Sequence, residues 1–225
     1  MPIPAPQPFD KITAKDRAYQ KIRDWIIDGT LMPNEKLAET SLATAISVSR
    51  TPIREALLKL REDGFVTMVS GKVTRVATLN AEDAATLYEP MAAIEGLAAA
   101  QAAEKITAEQ LQRLQTANET YQTVLASQSL PAILTADRAV HAAVLAVAVN
   151  DYETQFSNIL YGHLARFENY FFKQRTLEKI HRNQNHDALI MALQQHDPQA
   201  AREAMTEDWL NTMRVFQTNT PPDSK

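Results

Sequence analysis

The chain has 225 residues, a net charge of −4, 45% hydrophobic residues and no cysteine. It is long enough for one or two buried cores, while disulfides and thiolate metal sites are excluded, which fits a reducing cytoplasm. No apolar run approaches the ~18–20 residues of a membrane span, and MPIPAPQPFDK lacks the basic and apolar regions of a signal peptide, so a cytoplasmic protein is expected.

Residues 1–10 hold four prolines and no periodicity, and read as a flexible arm. Lys15–Asp28 has the pattern of a first helix, with Ala18, Ile22, Trp25 and Ile26 inward and Gly29 as its stop. Leu31–Leu37 reads as a turn, and Glu39–Ala45 as a short second helix burying Leu42 and Ile46. Ser49 is placed to cap a third helix, in which Pro52 is tolerated within the first turn and Gly64 ends the run. Ile53, Leu57 and Leu60 give that helix one apolar face, and Arg50 and Arg54, one turn apart, leave from the other side. Phe65–Val69 and Lys72–Val76 then alternate around Ser70-Gly71 as a hairpin. A helix with two arginines in its first turns, followed by a hairpin tipped with Gly and Lys, fits a DNA major groove and its flanking backbone. Charge agrees: residues 1–78 hold 12 Lys/Arg against 9 Asp/Glu, and residues 79–225 hold 11 against 18.

From Asn80, placed to cap a helix beginning Ala-Glu-Asp, the chain is dominated by helix formers. Six helical segments are expected: Ala81–Glu104, Ala108–Ser127, Pro131–Val149, Tyr152–Lys173, Leu177–Gln195 and Pro198–Phe216. Short loops between them predict an antiparallel bundle in which sequential helices are neighbours. The fold class is therefore mostly α, a winged helix-turn-helix over 11–78 followed by an all-helical domain over 79–217 and a disordered tail over 218–225. No Gly-rich phosphate loop and no nucleophile elbow occurs, so the common nucleotide-enzyme and hydrolase readings lack support.

Three of the bundle helices carry polar residues within an apolar stripe. Asp137 and His141, four apart, share a face with Ile133, Val140 and Val144. His186 lines up with Leu189, Ile190 and Leu193, and Asp208 with Ala201, Ala204 and Met205. His186 and Asp208 lie symmetrically about the turn at Asp197, so a helical hairpin sets them at one height, facing each other. Buried carboxylates are paired or bind metal, and two imidazoles with two carboxylates suit Zn, Ni, Mn or Fe(II). A closed Asp–His hydrogen-bond network is the plainer account of one such pair; four residues in register favour an ion.

The run from Ile22 to Val76 resembles the winged helix-turn-helix of the GntR family of bacterial transcription regulators. IIDGTLMPNEKLAE is similar to the family's opening pattern, and VSRTPIREALLKLREDGFV to its recognition-helix signature. The resemblance implies that Ser49, Arg50, Thr51 and Arg54 meet DNA, with Gly71 and Lys72 at the wing. Asn34 stands where the turn usually has Gly, and Thr40 where the fatty-acid regulator has a DNA-contacting Arg. Residues 80–215 resemble the FCD effector domain of the FadR branch, in its shorter, VanR-like six-helix form. The resemblance rests on Asp137-x3-His141, on Asn150 and on the run from His186 through Asp197-Pro198. Metal-binding members of that family have His where this chain has Asp208, so a harder, more anionic site is expected. The resemblance further implies a small organic acid effector held by a basic group. Met91 occupies the place of the usual Arg four residues before Glu95, leaving Arg166, His163 or Arg138 as candidates. The resulting expectation is a dimeric regulator, more often a repressor, bound to a palindromic operator in double-stranded DNA. The competing class is a metal-dependent enzyme using the bundle pocket.

Overall fold

The computed structural model describes residues 12–69, 73–80, 83, 85–125, 129–172 and 186–219. The expected arm, Gly71 and Lys72 at the wing tip, residues 177–185 of the expected fifth bundle helix and residues 220–225 of the expected tail lie outside them. The chain divides into two units, 1–78 and 79–225.

In the first unit, helix α1 (Ala14–Ile27) starts at Thr13, whose hydroxyl accepts from the Asp16 N–H and donates to the Asp16 carboxylate. Gly29, at φ 79°, provides the left-handed turn that ends the segment. Strand β1 (Lys36–Leu37) follows, then α2 (Glu39–Ile46), α3 (Arg50–Glu62), β2 (Val66–Val69) and β3 (Val73–Val76). Helix α3 closes in a Schellman motif: Gly64, at φ 80°, donates to the Arg61 carbonyl and Phe65 donates to that of Leu60. Ala18, Ile22, Ile26, Leu42, Ile53, Leu57, Leu60, Phe65 and Val76 form the core under the three helices and the sheet.

One expectation needs correction here. Lys36 and Leu37 are not merely a turn: they pair antiparallel with Arg75 and Thr74, making β3 the centre of a three-stranded sheet. A two-residue strand carries no alternation for a sequence pattern to reveal. Asn34 takes φ 67° and so adopts the left-handed conformation that Gly usually supplies at this turn; its N–H donates to the Val76 carbonyl.

The second unit consists, among the described residues, of α4 (Ala85–Lys105), α5 (Ala108–Leu125), α6 (Leu130–Ala148), α7 (Asp151–Phe172), α8 (His186–Gln194) and α9 (Pro198–Asn219). Helix α4 is described from Ala85, residues 81, 82 and 84 of its expected first turn lying outside the described residues, and α9 runs to Asn219, past the expected start of the tail. Sequential packing is only part of the arrangement. Helix α5 packs on α6, α6 on α7 and α8 on α9, but α4 packs on α6, α7 and α8 and most extensively on α9, at the far end of the sequence. The sequence of α4 accounts for this central place. Ala98, Ala99, Ala102 and Ala103 are fully buried, and such small side chains let several neighbours approach one helix closely. At Gly96 a methyl group would meet Thr206 Oγ1 at 2.5 Å and the Arg202 carbonyl at 3.4 Å.

Helix α6 corrects another expectation. Its window Pro131–Ala148 is long and apolar enough to cross a membrane by length and composition. Here that hydropathy serves a core: Ile133, Val140, Val144 and Ala148 are buried, and Asp137, Arg138 and His141 stand in the middle of the helix. The turn between α8 and α9 is pinned by His196, at φ 53°, whose Nδ1 lies 2.8 Å from the Ala103 carbonyl on α4.

Gly96→Val places a branched side chain where no methyl fits and should lower stability by about 1–3 kcal/mol, read as a reduced urea midpoint. An unchanged midpoint would mean that α4 and α9 can separate freely there.

Candidate recognition helix and candidate metal centre

Ser49 takes the N-cap position of α3 in extended conformation, but its hydroxyl makes no capping bond to the helix. Ser49, Arg50, Thr51 and Arg54 are all exposed, on the side of α3 away from Ile53, Leu57 and Leu60. Arg54 is also engaged from α2, a contact the sequence did not reveal. Its Nε donates to Glu39 Oε1 at 3.1 Å and its Nη2 to Glu39 Oε2 at 2.8 Å. The Arg54 hydrogen bond holds the Glu39 carboxyl below the usual carboxylate range. On the sheet, exposed Arg75 donates from Nη1 to the Asn34 carbonyl at 2.8 Å.

In the second unit Asp137, His141, His186 and Asp208 converge, and all four are buried. His141 Nε2 lies 3.8 Å from Asp137 Oδ2 and 3.4 Å from Asp208 Oδ2. His186 Nε2 lies 3.4 Å from Asp137 Oδ1 and 3.9 Å from Asp208 Oδ2. These separations are too long for good hydrogen bonds. They are close to the roughly 3.0–3.5 Å between donors that share one ion at about 2.0–2.2 Å.

Each imidazole is held through its other nitrogen. His141 Nδ1 is 2.6 Å from Glu95 Oε2, and His186 Nδ1 is 3.1 Å from Asn118 Oδ1. In the tautomer that donates from Nδ1, each neutral imidazole turns its Nε2 lone pair toward the two carboxylates, the form in which it would ligate an ion. Asp137 Oδ1, His141 Nε2, His186 Nε2 and both Asp208 oxygens are buried without a hydrogen-bond partner. Buried polar atoms without partners are costly in a closed core, and with two carboxylates among them they suit a positive charge, either an ion or a proton on His141. The donor set therefore fits a divalent metal, with one ligand atom each from Asp137, His141 and His186 within 4.8 Å of one another.

Glu95 is the residue that sequence reasoning left out of the site. Fully buried on α4, it accepts from His141, from Ser157 Oγ at 2.6 Å, from Trp209 Nε1 at 2.9 Å and from Arg138 Nη1 at 2.9 Å. Burial alone would raise its carboxyl; His141, Arg138 and Ser157 outweigh that and hold it at about 2. Burial alone would likewise lower His141, but the charges of Glu95 and Asp137 and the approach of Asp208 push it well above its ordinary value. A carboxylate isolated in the alanine face of α4 was the available signal.

Among the effector candidates, Arg138 is turned toward this support. Besides Glu95 it donates from Nη2 to Ser157 Oγ at 3.1 Å and Asn158 Oδ1 at 2.8 Å, and it lies over the Tyr161 ring. Arg166 is buried, which lowers it to about 10, and His163 is half-buried one turn away on α7. Trp209 lies between His141 and Tyr88, with ring centroids 4.7 and 6.3 Å away. Tyr88 donates to Glu168 at 2.9 Å, whose carboxyl burial pushes up to about 8.

The model of bacterial regulatory proteins of the gntR family matches residues 14–76, and that of the FCD domain matches residues 86–210. A helix-turn-helix transcriptional regulator from the ttuE-ttuC' intergenic region of Agrobacterium vitis is 33% identical over 134 residues, 58% of this chain and 78% of the relative. The transcriptional repressor GlaR of Escherichia coli is 25% identical over 214 residues, 92% of this chain and 96% of the repressor. Among solved structures, E. coli McbR/YncC superposes with a TM-score of 0.79 at 19% identity, covering 92% of this chain and 99% of that one. A GntR regulator from Rhodococcus gives 0.73 at 22% identity, covering 92% and 99%.

Glu95→Ala leaves Arg138 and His141 without their carboxylate and should cost about 3–5 kcal/mol in urea unfolding at neutral pH. Because the folded Glu95 carboxyl is depressed, its contribution is present above the ordinary carboxylate range and lost as pH falls toward 2. The stability difference between wild type and variant should therefore shrink on acidification; a difference independent of pH would contradict the assignment.

Proposed function

Since the chain belongs to the GntR family of bacterial helix-turn-helix transcription regulators and carries an FCD effector domain, we propose that it is a metal-dependent, ligand-responsive repressor. The observation that carries the metal and effector part is the convergence of buried polar atoms without hydrogen-bond partners, from Asp137, His141, His186 and Asp208, on one point. These four residues would hold the ion. When bound, a divalent metal supplies a Lewis-acid anchor for a carboxylate. Two carboxylates among the four donors favour Zn, Mn, Ni or Fe(II) over soft ions. The repressor assignment is supported by the likeness to GlaR over nearly the full length of both chains.

In this account residues 11–78 form the DNA-binding domain, residues 79–217 the effector domain, and the protein works as a cytoplasmic homodimer. Ser49, Arg50, Thr51 and Arg54 of each recognition helix enter the major groove, with Gly71 and Lys72 of the wing at the backbone. Two-fold symmetry of the protein then matches a palindromic operator. A small organic acid binding at the metal lowers operator affinity only if it binds the DNA-incompetent arrangement more tightly; equal affinity for both would shift nothing. Arg166, His163 and Arg138 are the candidates for the acid's second contact, Arg138 also supporting Glu95.

Two experiments test this. Arg50→Ala should abolish binding in gel-shift titrations to duplexes selected by the wild type, with thermal unfolding unchanged; retained binding would remove α3 as the reader. His186→Ala should lose the metal found by elemental analysis of the purified protein. Asn118→Leu, which frees the His186 ring, should weaken metal binding by roughly 10–100-fold. Equal metal content in wild type and His186→Ala would remove the site.

A further inference from the structure

The bidentate contact between α2 and α3 has a chemical consequence for DNA reading. Glu39 takes up the Nε–Nη2 edge of the Arg54 guanidinium with both of its oxygens. An exposed ion pair adds little to stability, so a fork-on-fork geometry at this place is better explained by what it does to Arg54. Three N–H groups are left over, two on Nη1 and one on Nη2. One from each nitrogen forms a parallel pair at the end of the fork, the spacing that meets O6 and N7 of a guanine. The Arg54 side chain is 67% exposed and that of Glu39 33%, so it is the arginine that presents itself to solvent. The charge of Arg50 also acts on Glu39, which sets one carboxylate among the two arginines of the reading face.

An unrestrained arginine has many rotamers, and on DNA it meets phosphates more often than any one base. We propose that Glu39 is a specificity-determining positioning residue: it fixes the Arg54 guanidinium end-on toward a guanine and cancels the charge that would otherwise seek a phosphate. This rests on α3 being the DNA-reading helix, as proposed above. Two effects then act together. Pairing raises affinity for the right base because little side-chain freedom remains to be lost on binding. It also lowers affinity for every other duplex, because one cation fewer is available to release counterions.

The test uses the full-length protein and duplexes selected by the wild type from a randomised library. Wild type, Glu39→Gln, Arg54→Ala and the double variant are titrated against the selected duplex, versions with each guanine replaced in turn, and an unrelated duplex of equal length. Arg54→Ala should lose its preference at one guanine per half-site. Glu39→Gln should lose about tenfold in discrimination at that same guanine. It should also bind the unrelated duplex more tightly, with a log–log salt slope steeper by about one. The double variant should discriminate like Arg54→Ala alone. Glu39→Asp keeps the charge but shortens the reach; it should fall between wild type and Gln, and it carries the comparison should the Gln variant not fold. The proposal is overturned if Glu39→Gln discriminates as the wild type does, loses a different base, or has the same effect with and without Arg54. A wild type that selects no sequence at all would sink the regulator assignment itself, whereas a clear consensus indifferent to Glu39 sinks only this inference.

Discussion

A single buried carboxylate organises the second unit. Glu95 takes hydrogen bonds from four side chains on three other helices: Arg138 and His141 on α6, Ser157 on α7 and Trp209 on α9. A carboxylate in a core is tolerable only when its lone pairs are filled and a positive charge is near, and here both conditions are met by residues that also define the site. His141 is oriented by that bond, so its Nε2 can only face Asp137 and Asp208. Trp209 is fixed in the same way and stands one residue beyond Asp208 on the same helix. The site thus rests on a polar network inside an otherwise apolar bundle, and the network rests on α4.

The apolar faces that build both units were legible because helix periodicity is a local property. Ile53, Leu57 and Leu60 repeat on α3, and the exposed arginines follow from that face by geometry. Asp137 and His141 were visible as a pair because four residues make one turn, and His186 with Asp208 because a hairpin about Asp197 pairs equidistant positions. What lay hidden was tertiary. The donors to Glu95 come from positions 43 to 114 residues away, and Asn118 reaches His186 across 68. No periodicity encodes such partners. Arg138 illustrates the cost: offered by the sequence as one candidate for the effector, it also gives three of its five N–H groups to Glu95, Ser157 and Asn158, a supporting role no local pattern reveals. The order of helices around α4 was hidden for the same reason, since loop length says which helices can be neighbours and not which pack best.

The two units treat arginine alike. Arg138 is set by Glu95 in a core, and Arg54 by Glu39 at a surface. In the core Glu95, paired with Arg138, also holds the His141 imidazole. At the surface the pair leaves part of the guanidinium exposed. An arginine–glutamate pair therefore serves support in one place, through a single hydrogen bond, and presentation in the other, through two, the difference being how much of the guanidinium solvent can reach.

The close approach of α4 and α9 at Gly96 has one more consequence. Gly96 follows Glu95 directly, and Thr206, which fills the space a methyl would need, is two residues before Asp208. The backbone gap between these helices is thereby set next to the cluster by contacts that do not involve position 208 itself. Chemical identity and physical spacing are decoupled at that position. A lineage could exchange the side chain there, altering the charge and hardness of the cage, while its width stayed the same.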